Sequence, residues 1–139
     1  MGRMSRPLVY VDTSEVRDGA LEELRGAIDE LVEFVEANEP QLIAYSVYLS
    51  DDGRQMTVVH VHTDSASLEY HMGVAGPAFR RFADADLITL SSIRVYGEPS
   101  EKAVSQLYEK ARLLGCSDVT VHALHAGFGR FGAAEGGSG

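Results

Sequence analysis

The 139-residue chain predicts an α+β domain: a ferredoxin-like βαββαβ antiparallel sheet, extended by a C-terminal helix and an extra strand. Three observations carry that prediction. Two β-rich runs meet at Asp52-Gly53, three stretches hold apolar residues at helical spacing, and the elements alternate in the split βαβ order.

PLVYVDT, from Pro7 to Thr13, is a β-branched run that reads as the first strand. GALEELRGAIDELVEFVEANEP places Leu21, Leu24, Ile28, Leu31 and Val35 on one helical stripe, with Asp18 as the expected cap and Asn38 and Pro40 as the stop. QLIAYSVYLS and QMTVVHVHT flank the DDGR turn and form a hairpin. Thr63, Asp64 and Ser65 offer capping side chains for SLEYHM, and Gly73, Gly76 and Pro77 predict a break before a second piece, PAFRRFADA. DLITLSSIRVYG, Asp86 to Gly97, is a long strand.

Ser100 then caps EKAVSQLYEKARLLG, with Val104, Leu107, Ala111 and Leu114 inward and Gly115 ending the helix. SDVTVHALH reads as a fifth strand, free to join this sheet or a partner's. One domain over residues 1–126 is expected, with its core at 8–96 and its extension at 100–126. The glycine-rich segment 127–139 is expected to be at least partly disordered.

Composition excludes several classes. A formal net charge of -9 opposes general binding to nucleic acid or anionic membranes, which needs clustered Lys and Arg. No apolar run reaches the ~20 residues that span a bilayer. The opening MGRMSRPLVYV lacks the apolar stretch of a secretory signal, and Cys116 is the only cysteine, so a cytoplasmic protein without disulfides is expected. HAGFGRF does not lie between a strand and a following helix, as a phosphate loop must. FVEANEP and EVRDGALEE read as solvated acidic faces.

The strands are apolar on both sides. In IAYSVYL one face carries Ile43, Tyr45, Val47 and Leu49, the other Leu42, Ala44 and Tyr48; VYV, TVVHV and LITLSSI behave alike. A sheet with one face in water alternates more cleanly. The uncovered face is therefore expected to pack on a second copy in a twofold homodimer.

MTVVHVHTDSASLEYHM holds three of the five histidines. His60 and His62 are two apart in a strand and share a face. His71 can reach them from the following helix. A trio of imidazoles can hold a metal if a carboxylate such as Asp64 or Glu69 completes the set; it can supply a base near neutral pH; or it can be a set of hydrogen-bonded structural side chains. Arg94 in SSIRVY is a charged side chain inside a strand, which implies a partner or a surface position at the strand end.

The run HVHTDSASLEYH, followed by AFRRF, resembles the antibiotic biosynthesis monooxygenase family of dimeric α+β barrel proteins, over about Leu8 to Tyr96. In that family the third strand ends in Glu-x-Trp and a helical histidine follows nine residues later. Here His71 lies nine residues after His62, His62 stands where the tryptophan belongs, and His60 stands at the glutamate. The chain contains no tryptophan.

The resemblance implies a homodimer and a cofactor-independent monooxygenase, using neither cofactor nor metal, for a small hydrophobic aromatic or quinol. Its catalytic residues would be His62 and His71, with His60, Arg94, Tyr45 and Tyr70 against the substrate. A non-catalytic dimeric ligand-binding or structural module, and a His-ligated metal enzyme, are the alternatives.

Overall fold

The central strand of the sheet, β1 (Leu8–Val16), pairs antiparallel on both sides in a computed structural model that describes residues 7–130. On one side lies β3 (Gln55–His62), with Tyr10 opposite His60, and beyond it β2 (Ala44–Leu49) at the edge. On the other lies β4 (Ile88–Tyr96), followed by β5 (Val119–His122), which runs parallel to it. The order β2-β3-β1-β4 is the ferredoxin-like arrangement expected from the sequence. The fifth strand joins its own chain's sheet and makes it mixed. The β2–β3 hairpin turns through Gly53 at φ +72°, a conformation open to glycine.

The three helices among the described residues lie on one face. α1 (Leu21–Asn38) buries Leu24, Ile28, Leu31 and Val35 against Met56, Val58 and Ile88, at roughly 1.5–3 kcal/mol per large apolar side chain. Its expected cap is absent: Ala20 occupies the N-cap without a side-chain bond, and Asp18 is exposed. α2 (Ser65–Asp84) begins as expected, with Asp64 Oδ1 accepting from the Ser67 N–H at 3.0 Å. It is not broken at Gly73–Pro77. One continuous helix carries Pro77 inside it, because Leu68, His71, Met72, Ala75, Phe79 and Phe82 form a single buried stripe across the proline. Their burial outweighs the one hydrogen bond that proline cannot donate.

α3 (Glu101–Leu113) is capped by Ser100, which accepts from the Ala103 N–H at 3.1 Å. Its buried side is Ala103, Leu107, Lys110 and Ala111; Val104, expected inward, is only partly covered. The opposite sheet face carries Val9, Val11, Val59 and Val61 in adjacent registers, half-buried and covered by no helix among the described residues. Residues 123–130 are exposed and without regular structure. The rest of the tail expected to be disordered lies outside the described residues. No helix among the described residues is long and apolar enough to cross a membrane.

Candidate functional site

The period of two along β3 places His60 and His62 on the helix-covered face, and the α2 stripe points His71 at them. All three imidazoles are at most 1% exposed. Their ring centroids stand 5.0 Å (His60–His71), 5.6 Å (His62–His71) and 6.1 Å (His60–His62) apart. Tyr10 stacks on His60 at 4.0 Å, and the Tyr45 ring meets His60 edge-on at 4.9 Å and His71 at 5.5 Å.

Each ring is held through one nitrogen. His71 Nδ1 lies 2.7 Å from Glu39 Oε2, His62 Nδ1 lies 2.8 Å from Ser67 Oγ, and His60 Nε2 lies 3.3 Å from Asp12 Oδ2. A carboxylate only accepts, so His71 carries its proton on Nδ1 and His60 on Nε2. His71 Nε2, His62 Nε2 and His60 Nδ1 are buried without a hydrogen-bond partner among the described residues. Burial drives the charged form of His62 down to a pKa of about 3, and repulsion between His62 and His71 when both carry charge adds to it. Burial also lowers His60, against the opposing pull of its Asp12 bond. Both are neutral imidazoles at pH 7.

Glu39 overturns the reading of FVEANEP as a solvated face. It is 3% exposed because Pro40 ends α1 directly after it, and the residue before a proline turns extended (φ -131°, ψ 70°), directing its side chain inward.

The second unforeseen group comes from α3. Lys110, 7% exposed, donates to Tyr10 Oη at 2.5 Å and to Asp12 Oδ2 at 3.1 Å, and lies 4.0 Å from the centroid of the Phe79 ring. Burial pushes the Asp12 carboxyl up, but the Lys110 ammonium and the His60 bond outweigh it and hold it well below the usual carboxylate range. Burial raises the Tyr10 and Tyr45 hydroxyls, with the Asp12 charge adding to both, so both stay protonated. A sequence signal existed for each residue. Asp12 alternates with Leu8 and Tyr10, and Lys110 falls three residues after Leu107 on the apolar stripe.

The remaining expected residues do not join the cluster. Arg94 lies between inward-facing Ile93 and Val95, which sends it to the open face. There it makes two 3.0 Å bonds to Asp118. Tyr70 is half exposed, its hydroxyl 3.3 Å from the Asn38 carbonyl. Among the described residues no three His, Cys, Asp or Glu side chains are arranged to hold a metal ion. Glu69 instead accepts from the Ser100 hydroxyl, and Asp64 caps α2.

No protein-family model and no curated protein matches the sequence. Solved structures do. MupZ from Pseudomonas fluorescens superposes with a TM-score of 0.69 at 16% identity, over 90% of this chain and 95% of its own. That coverage cannot be reached without the α3–β5 extension. A candidate antibiotic biosynthesis monooxygenase from Bacteroides thetaiotaomicron matches at 0.52 and 19% identity, over 61% of this chain and 83% of its own. SnoaB, a cofactor-independent oxygenase from Streptomyces nogalater, matches at 0.53 and 15%, over 68% and 94%. The chain thus has the fold that the βαββαβ core and its histidine spacing predict.

Proposed function

We propose, from the premise that this chain carries the fold of the antibiotic biosynthesis monooxygenases, that it oxygenates a small hydroxylated aromatic or quinol without a cofactor, as a cytoplasmic homodimer. The observation that carries the reading is the Glu39–His71 pair. Glu39 fixes the tautomer that leaves Nε2 as an acceptor, and its charge stabilises the imidazolium formed when Nε2 takes a proton. Burial lowers the pKa of His60 and His62, so both are weak bases and serve as hydrogen-bonding walls for the substrate.

At an activated CH2 beside a phenolic ring, His71 removes one proton. The carbanion, delocalised as a phenolate, gives its electron pair to dioxygen, and a C–O bond forms. The hydroperoxide then loses water as the second C–H proton leaves and the O–O bond breaks. One oxygen atom stays as the carbonyl and the other departs as water, so the substrate itself supplies every electron. The rings are closed to solvent, and a substrate enters by displacing a wall. β2 is the least packed wall, being an edge strand of half-buried residues that includes Tyr45.

Oxygen uptake with anthrone and quinol substrates tests the chemistry. His71→Ala is expected to lower kcat by about 10²–10⁴-fold, and Glu39→Gln by less, with retained folding by circular dichroism. Full turnover in His71→Ala would remove the base assignment.

The half-buried valines of the open face support the homodimer. Native mass spectrometry should give twice the 15.1 kDa chain mass, and Val59→Lys at the centre of that face should give the monomer. A monomer in the unmodified protein overturns this assembly.

One observation favours a second reading, a non-catalytic module with a structural or small-ligand-binding role: the rings are already bonded and packed shut, as a structural core would be. A folded dimer that consumes no oxygen with any of these substrates would select it.

A further inference from the structure

A cavity with about 20 Å³ of room lies between the sheet and the helices, beside the ring cluster but lined by none of the three histidines. That is more than one water requires and enough for a diatomic molecule, but far below the size of an aromatic ring. Its wall is mainly apolar, with Ile28, Leu31, Val47, Val58 and Phe82 among the residues that form it. Lys110 and Asp12 close one side, and Tyr45 and Phe79 separate it from the imidazoles, their rings 5.5 and 5.9 Å from that of His71. The ammonium of Lys110 is the nearest source of positive charge, and it arrives on the helix that lies outside the βαββαβ core.

We propose that this cavity is a binding site for dioxygen, with Lys110 as the cation that faces it. The inference rests on the oxygenase reading for the fate of the gas, but its placement stands on the cavity itself. Most of the wall is apolar and suits an apolar gas, whereas a water would bond the unpartnered Ser14 Oγ, Asp12 and Lys110 and is the competing occupant that the relaxation measurement distinguishes. When the substrate carbanion gives up its electrons, negative charge develops on the oxygen atoms beside Lys110, whose charge is already in place and fixed by Tyr10 and Asp12. The cation thereby favours the electron-accepting step without taking or giving a proton.

Two arms test the proposal, and the first needs no turnover. Dissolved dioxygen is paramagnetic and speeds the relaxation of nearby methyl groups. Under oxygen rather than nitrogen pressure, the methyls of Leu31 and Val58 should show enhancements several-fold above those of Leu90 and Val119. The four are buried to a similar degree, 4% and 5% exposed against 3% and 8%, but only the first two line the cavity. Val58→Ile, which adds one methylene to the cavity, should abolish the difference. Equal enhancement at all buried methyls, or a signal unchanged in Val58→Ile, overturns the site.

In the second arm, with a substrate that supports oxygen uptake, Val58→Ile should raise the KM for dioxygen several-fold while kcat at saturating oxygen holds. The double variant Lys110→Met/Asp12→Asn, which leaves no unpaired buried carboxylate, should lower kcat/KM for dioxygen at least tenfold. An unchanged KM for dioxygen in Val58→Ile also overturns the site. Absence of oxygen uptake in the unmodified protein sinks the oxygenase reading alone, and the relaxation result then decides the cavity by itself.

Discussion

Two ion pairs with nearly the same contact distance occupy opposite sides of the sheet. Lys110 reaches Asp12 at 3.1 Å beneath the helices, and Arg94 reaches Asp118 at 3.0 Å on the open face. The side chains of the first are 6% and 4% exposed, those of the second 32% and 51%. Solvent screens the outer pair and supplies alternative partners to each charge, whereas the inner pair has exchanged all its hydration for one another and for Tyr10 and His60. Geometry alone therefore says little about what an ion pair does. The surroundings decide whether it is a surface ornament or a fixed charge that chemistry can use.

Breaking the inner pair should give the largest effect. Lys110→Ala leaves Asp12 charged and buried, and should destabilise the fold by about 3–5 kcal/mol in denaturant titrations. Replacing both partners sharpens the contrast. Asp12→Leu with Lys110→Met should recover most of that loss, since a buried pair exchanged for apolar groups is often neutral or stabilising. A double variant as unstable as the single one would show that the network, rather than the stranded charge, carries the stability.

Acid gives the next effect. His62 has a folded pKa of about 3 against an unfolded value near 6.5, and His60 is lowered too. Between those values the unfolded chain binds more protons, so stability is present above about pH 6.5 and drains as pH falls towards 3. Each histidine contributes a slope of up to roughly 1.4 kcal/mol per pH unit. His62→Gln should flatten the unfolding midpoint against pH in that window. Asp12, whose folded pKa is depressed, adds its loss only below the ordinary carboxylate range. Smallest of all, Arg94→Ala should leave the thermal midpoint within experimental error.

Local rules made much of the fold legible. Asp52-Gly53 marked the hairpin, Asp64 and Ser100 marked the helix starts, and alternation put His60 and His62 on one face. Where the reading failed, a tertiary term had outweighed a local one. Pro77 sits within a helix because the stripe on both sides of it is buried. Glu39 belongs to an acidic run whose other members face water, and only the turn at Pro40 separates it from them. Arg94 drew notice as a charge within a strand, although its neighbours Ile93 and Val95 already assigned it to the outer face. Asp12 and Lys110, 98 residues apart, had no local signature of pairing, so neither entered the expected site.

That separation also sets an order of events as the chain leaves the ribosome. Strands β1 to β4, helices α1 and α2 and all three histidines of the cluster are complete by residue 96, yet Asp12 has no cation beneath the sheet until Lys110 emerges. Contacts between such distant residues form late, because loop closure must precede them. The nascent core therefore waits with a carboxylate that burial disfavours, and the arrival of α3 converts it from a liability into an anchor. This helix acts as a latch: the site is finished only after Lys110 has emerged, beyond the whole βαββαβ core.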